Sequence, residues 1–488
     1  MRLALTALLF SLGVAGTAAA EDLLRVYQDA LDNDPQIREA DATRKANREA
    51  RPQAWGALLP QAQGSAQYTH TESDGSQPFT VTDPLTGLVT VLPVNQNTTT
   101  RSHGYTLSLR QNIFSWQDWM ALRRANRSVA QAEADYQAAQ QSLVQRVAQT
   151  YFDVLAAQNL VDSQAAALEA IGRQFDQANK RFEVGLIAIT DVQEAKAARD
   201  SAAAALIDAK RQLATAKQSL RAITSKEYDT LANPTEGMPL ISPSPADAEQ
   251  WVELSMNQNA ALISSRLASD IARQDVNIAR GGHLPVLDAV GSRTKTNNDI
   301  NASTAGFNAD FSTDGTVDTY GLQVSVPIFA GGTTQSKVRQ AQYQWIAAKE
   351  RTTRVTRDTE RLARDAYLGV MSEMARVGAL KQALESSQTA LKATQAGYEV
   401  GTRTAVDVLT AQQNLVLAQT NYARSKYDYL LNVIALRLAA GNLDEKTVQE
   451  LNQWIETPAP AGGQTPAAPQ EPIAPAAPAT PAAPQPQP

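Results

Sequence analysis

The chain has 488 residues, a formal net charge of −6 and no cysteine. The missing thiols exclude thiolate catalysis, cysteine metal sites and a lipid-modified N-terminal cysteine, and they fit an oxidising compartment. The modest acidity excludes no class of partner by itself.

Residues 1–20 hold one basic residue (Arg2), an apolar stretch from Leu3 to Val14 and the small triplet Ala18-Ala19-Ala20. That order predicts a secretory signal peptide, and a protein working beyond the inner membrane of a bacterium. Past it, no run approaches the roughly 20 apolar residues of a spanning helix. A membrane role must therefore come from β-strands.

Glu21 to Pro52 predicts helix, with Leu24, Tyr27, Leu31 and Ile37 on one stripe. After Leu58-Leu59-Pro60, Ala62, Gly64, Ala66 and Tyr68 alternate with polar residues, and Tyr105, Leu107 and Leu109 do so again before Ile113-Phe114. Thr71 to Ser102 between them reads as a polar loop. The second half repeats the plan: His283-Leu284-Pro285, a strand, a polar loop from Thr296 to Thr319, then Tyr320, Leu322, Val324 and Val326 alternating. This predicts four strands of about ten residues, near 59–114 and 284–329. Their length suits an outer-membrane barrel with a watery interior. It also suits an ordinary antiparallel sheet capping helices.

Each strand pair is followed by a very long helical pattern. Asp118 to Val184 contains no proline, and its apolar positions follow 3–4 spacing. Roughly 67 residues would reach about 100 Å. The return arm, with Ala202, Leu206, Ala209, Leu213 and Leu220, and its counterpart from Ala411 to Ala439 read as Ala-rich coiled coil. Lys226 to Pro245 breaks the pattern, and helix resumes from about Ala246 to Arg280. Residues 457–488, about a third proline, cannot bury a core and are expected to be disordered.

Two stretches tie the halves together: Phe182 to Val192 (FEVGLIAITDV) and Tyr398 to Val408 (YEVGTRTAVDV), 216 positions apart. The match extends without a gap from Tyr151/Tyr367 to Arg221/Arg437. It predicts an internal duplication of two helical hairpins, each turning at a glycine, Gly185 or Gly401. Four strands cannot close a barrel, since about eight are needed. If the strands span a membrane, several copies must pool them, and the sequence then predicts a long duct whose lower mouth is made by the two turns.

The paired VG turns, His283-Leu284-Pro285, the PIFAGG run at Pro327 to Gly332 and the NIF-W run at Asn112 to Trp116 resemble the TolC family of outer-membrane channel proteins. The resemblance covers nearly all the chain from 21 to about Trp454. It implies a mainly α protein with a membrane β-barrel: a homotrimer with a 12-stranded barrel, four strands per chain, continued by a long α-helical coiled-coil periplasmic tunnel. The halves would be 21–225 and 246–440, with equatorial segments 226–245 and 441–456 completing a protomer of 21–456. The implied role is an exit duct for multidrug efflux or type I protein secretion, embedded in outer-membrane lipid. Its implied partners are a periplasmic adaptor, docked at Gly185, Leu186, Gly401 and Thr402, and an inner-membrane transporter of RND, ABC or MFS type. Neither a cofactor nor nucleic acid is implied. Carried over by position, the links that shut the mouth involve Thr190, Asp191, Tyr398, Gly401 and Arg403. The aperture's first acidic ring falls on Asp407, and Thr410 stands where the family has a second.

The chemistry of those residues supports the assignment separately. A guanidinium offers a carboxylate a bidentate, directional bond, worth about 1 kcal/mol or less at a wet surface. Asp191 and Asp407 also suit helix capping, and three Asp407 carboxylates in one ring would repel and raise their pKa. The only histidines, His70, His103 and His283, sit at predicted strand or loop ends, with no HExxH spacing, P-loop or GxSxG beside them. An enzyme is therefore not expected. The alternative to a channel is a secreted coiled-coil adhesin or structural protein.

Overall fold

The computed structural model describes residues 20–456 apart from 236–237 and 305–306. The expected signal peptide, all but Ala20, and the proline-rich tail lie outside the described residues. Three short helices come first: α1 (Leu23–Asn33), α2 (Pro35–Arg48) and α3 (Ala50–Gly56). The first half continues with β1 (Gln61–Thr82), β2 (Val89–Phe114), α4 (Trp116–Glu183) and α5 (Ile189–Thr224). After β3 (Asn233–Pro234) the second half brings α6 (Ala248–Gln258), α7 (Ala260–Gly281), β4 (Val286–Thr304), β5 (Phe307–Ser325), α8 (Thr333–Glu399) and α9 (Ala405–Ala440). α10 (Glu445–Asn452) and β6 (Ile455–Glu456) close the described chain.

The four long strands form one antiparallel sheet in the order β1-β2-β4-β5. They are 22, 26, 19 and 19 residues long, about twice the expected length. Most of both expected polar loops is therefore strand. Thr98, Thr99 and Thr100 look loop-like by polarity, yet threonine is β-branched and suits a pleated surface. The first true turn shrinks to Asp83–Leu88, where the Asp83 N–H donates to the Leu88 carbonyl (3.0 Å) and the Leu85 N–H to the Asp83 carboxylate (2.9 Å). His70 and His103 consequently lie inside strands rather than at their ends.

Register gathers the apolar side chains on one face. Leu109, Leu107 and Tyr105 oppose Ala62, Gly64 and Ala66, while Val324, Leu322 and Tyr320 line β5. Tyr320 is 88% and Leu322 71% exposed in the single chain. One step beyond Tyr320 an Arg293–Asp318 ion pair (3.3 Å) begins the polar part. About ten residues suffice to cross a bilayer, so each strand runs well past the lipid. β1 and β5 each pair on one side only. Two open edges are untenable in lipid, which demands closure by further copies. Among the described residues no helix is long and apolar enough to cross a membrane.

α4 has 68 residues, about 100 Å at 1.5 Å per residue. It turns into α5 as α8 turns into α9, and the ends Glu183/Glu399, Ile189/Ala405 and Thr224/Ala440 all keep the 216-residue offset. Buried Ala125, Ala132, Ala148, Ala202 and Ala209 let the helices approach closely. α1–α3 pack along α4, and α7 lies between α4 and α8.

The main core sits partway along these helices. Tyr151, Phe152, Tyr429, Leu430 and Ile434 are buried there, and Phe152 stacks on Tyr427 at 5.6 Å. Their hydroxyls fasten the segment between the halves. Tyr151 donates to the Ala232 carbonyl (2.6 Å), while Tyr429 donates to the Ile241 carbonyl and accepts from its N–H, both at 3.0 Å. β3 pairs with β6, joining 226–245 to 441–456.

Two expected helices are broken. The first splits at Asp34, which ends α1 and caps α2 by accepting from the Gln36 N–H, with Pro35 at the first helical position. Within α1 the buried stripe is Leu23, Val26, Tyr27 and Ala30 rather than the expected one, and Leu31 is exposed. The second splits at Asn259, whose side chain accepts from the Leu262 N–H (3.0 Å) and donates to the Ala439 carbonyl (3.1 Å).

Candidate gate at the helical tips

Both tips are built by the same backbone device. Gly185 (φ 77°) and Gly401 (φ 78°) take the left-handed conformation that ends each long helix. The Leu186 N–H then reaches the Arg181 carbonyl (2.9 Å), as the Thr402 N–H reaches that of Gly397 (2.8 Å). The Thr402 hydroxyl bonds the same carbonyl at 3.0 Å. Val184, Leu186 and Val400 stand 69–76% exposed at the extremities.

The return helices start differently. Thr404 caps α9 in a reciprocal box: its hydroxyl accepts from the Asp407 N–H (3.2 Å), and the Asp407 carboxylate accepts from the Thr404 N–H (2.9 Å) and hydroxyl (3.0 Å). In the first tip Ala188 occupies the cap position and offers no side-chain bond. Asp191 lies in the first turn, where a carboxylate favours the helix dipole, but its side chain makes no hydrogen bond or ion pair among the described residues. Asp191 is therefore not a capping side chain, whereas Asp407 is.

This bonding moves Asp407 against the expected direction. The Thr404 N–H, then its hydroxyl and the nearby Arg403 charge, hold the Asp407 carboxyl below the usual carboxylate range. The expected rise came from repulsion within a ring of copies, and the chain itself supplies the opposing effect. Thr410 bonds only back to the Val406 carbonyl (2.8 Å) and adds no charge.

Among the described residues, the predicted link residues of the first turn are not joined to those of the second within one chain. Arg403 lays its stem over Gly397, where an added Cβ would come within 2.8 Å of its Cγ. Its guanidinium forms no hydrogen bond or ion pair among the described residues, and Thr190 is likewise unbonded through its hydroxyl. Tyr398 is engaged, but by a residue the sequence reading passed over: the Arg181 guanidinium carbon lies 5.0 Å from its ring centroid. The available signal was a break in the repeat, since Arg181 aligns with Gly397. Below the tips, Ile171 and Ala202 of the first hairpin pack on Leu409 of the second.

A sheet with two open edges and an apolar band, borne on paired helices of about 100 Å, defines the protomer of an oligomeric outer-membrane channel. The family described as "Outer membrane efflux protein" matches residues 26–226 and 251–442, and the chain belongs to it. The outer membrane protein TolC of Escherichia coli (strain K12) is 35% identical over 451 residues, covering 91% of this chain and 87% of TolC. The alkaline protease secretion protein AprF of Pseudomonas aeruginosa is 31% identical over 437 residues, covering 88% and 87%. The crystal structure of the Campylobacter jejuni CmeC outer membrane channel shares the fold, with a TM-score of 0.67 at 19% identity, covering 89% of this chain and 90% of that one. The protein is thus an outer-membrane exit duct extending into the periplasm, formed as a trimeric channel, and not an enzyme. The adhesin alternative falls with that assignment.

Proposed function

We propose that three copies pool their strands into a 12-stranded barrel and their hairpins into a periplasmic tunnel. This duct carries small toxic molecules and secreted proteins outward, driven by inner-membrane transporters of RND, ABC or MFS type through a periplasmic adaptor. Relatives named for efflux and for protease secretion support both cargo classes. The protomer is residues 21–456, following a signal peptide at 1–20. Segments 226–245 and 441–456 form its equatorial belt.

The mouth closes at the tips. Among the described residues neither the Asp191 carboxylate nor the Arg403 guanidinium, on opposite turns, makes a hydrogen bond or ion pair. They suit a charge-assisted bond between neighbouring copies, with Thr190 and Tyr398 beside it. Asp407 supplies the acidic ring of the aperture, and Thr410 leaves that ring single. The exposed turns at Gly185–Leu186 and Gly401–Thr402 present Val184, Leu186 and Val400 to the adaptor.

The observation that carries this reading is the sheet's pair of open edges. Native mass spectrometry in detergent should find three copies, and a planar bilayer should show ion conductance. A dominant monomer would overturn the trimeric duct.

A further inference from the structure

We infer, from the membrane-spanning sheet and independently of the gate, that the foot of the sheet carries a collar of cations. This collar binds the phosphate headgroups of anionic phospholipids in the leaflet that faces the periplasm.

The strands hand over to the helices at an aromatic border. Trp55, Trp116 and Trp119 stand 38–45% exposed there, beside Ile113 and Phe114, which are exposed as well. Exposed tryptophan suits a membrane–water interface, with its ring apolar and its N–H wet. Trp116 donates its N–H to the Asn277 carbonyl (3.2 Å). Those of Trp55 and Trp119 have no partner among the described residues.

The helices that meet this border carry cations within about 12 Å of their strand-side ends. Arg48, Arg51, Arg123, Arg280, Lys337 and Arg339 make no side-chain hydrogen bond or ion pair among the described residues. The acids of the same turns do not balance them. Asp275 is taken by Arg124 (2.6 Å) and Asp118 accepts from Asn112, which leaves Glu49. The helix dipole accounts for Arg48 and Arg280, each in a last turn. It does not account for Arg51 in the first turn of α3, nor for Arg123, Lys337 and Arg339 in second turns. Beyond the other edge of the apolar band the basic residues of β4 are matched instead: Arg293 pairs with Asp318 (3.3 Å) and Lys295 with Asp314 (4.0 Å).

The spacing ties the cations to the rings. Arg51 is four residues before Trp55, and Arg123 four after Trp119, so each pair shares a helix face. In both, the ring lies on the strand side and the cation one turn further into the periplasm. Arg280 stands three residues from Asn277, to which Trp116 is bonded. A long basic side chain one turn below an interfacial ring reaches back to headgroup level while its stem stays on apolar surface. A phosphate there accepts a charge-assisted, forked bond from a guanidinium.

The test uses the full-length protein in detergent, titrated with phosphatidylglycerol or with phosphatidylcholine, and counts retained lipids by native mass spectrometry. Phosphatidylglycerol should be retained at least about fivefold better, the factor for one cation near an anionic surface. Added salt should weaken that preference. Arg123→Gln combined with Arg280→Gln should bring it towards parity, and Arg123→Lys combined with Arg280→Lys should keep most of it. Equal retention of the two lipids by the wild type, or a wild-type preference in the glutamine variant, would overturn the collar. If the glutamine variant fails to assemble, the salt series on the wild type decides, and a preference indifferent to salt overturns it. Inorganic phosphate should displace no more lipid than chloride at equal ionic strength; stronger displacement would mean a site for free phosphate and not for lipid. The same spectra report the number of copies. A monomer that still prefers phosphatidylglycerol would remove the duct and leave the collar, whereas a trimer without preference would remove the collar and leave the duct.

Discussion

The two tips share a backbone and differ in where their charges are spent. Both turn at a left-handed glycine with matching carbonyl bonds. Yet the first has Arg181 and Ile187 where the second has Gly397 and Arg403, so the cation has moved from one side of the turn to the other. The first also has Ala188 where the second has Thr404. The two equivalent aspartates differ accordingly: Asp407 is held by its own helix cap, and the Asp191 side chain makes no hydrogen bond or ion pair among the described residues. The two hairpins thus share a backbone, one with a turn bonded to its own carboxylate and the other with a carboxylate left unbonded among the described residues.

The largest effect should come from breaking the link that this division permits. Arg403→Ser should raise single-channel conductance in a planar bilayer, and Asp191→Ala should do the same. If they form one bond, the double variant adds less than the sum of both. Ala188→Thr sharpens the comparison, because it gives the first tip the cap of the second. A capped Asp191 is less available, so this variant should open the channel partway while keeping both charged residues. Strict additivity of the double variant, or unchanged conductance in either single one, would remove the pair.

A smaller effect concerns selectivity. If Asp407 lines the aperture as proposed, a trimer puts three carboxylates there, where low-dielectric walls focus their field. Asp407→Asn should nearly abolish cation selectivity, read as the reversal potential under a salt gradient. Thr410→Asp should strengthen it and tighten block by multivalent cations. The first tip carries Glu194 at the position equivalent to Thr410. If Asp407→Asn leaves the potential unmoved while Glu194→Gln shifts it, the aperture belongs to the first hairpin.

Much of this architecture was legible in the sequence, for identifiable reasons. Glycine is nearly obligatory at a left-handed turn, so Gly185 and Gly401 fixed both tips, and the ungapped repeat carried the helix ends at the tips with them. The strand ends were not legible. Thr98 to Thr100 are polar on both faces, and only cross-strand pairing reveals that their backbone stays extended. The breaks at Asp34 and Asn259 were hidden in another way. Each is one polar residue inside an otherwise helical pattern, and its capping role depends on backbone that composition does not encode. Arg181 escaped because a basic residue in the last turn of a helix normally needs no explanation beyond the dipole. Only its mismatch with Gly397 marks it.

The smallest effect expected is a shift in pH dependence, and it sets the two tips' chemistry against the trimer's. The Thr404 N–H and hydroxyl hold the Asp407 carboxyl below the usual range, while three carboxylates in one ring push each other up. A carboxylate with a depressed pKa contributes its stabilisation fully above its unfolded value, about 3.9 for aspartate. That contribution is lost as pH falls through the folded value. If the cap prevails, the ring stays charged and cation selectivity survives until the pH drops below that ordinary range. Thr404→Ala removes the hydroxyl but keeps the backbone N–H, so the midpoint of selectivity against pH should move upward without disappearing. Thr404→Ser restores the hydroxyl and should restore the midpoint. A wild-type midpoint above the ordinary carboxylate range would show that repulsion between copies outweighs the cap. An identical midpoint in Thr404→Ala would show that the hydroxyl contributes nothing. Either result would remove the distinction drawn here between a carboxylate fixed by its own helix and one kept free for a neighbour.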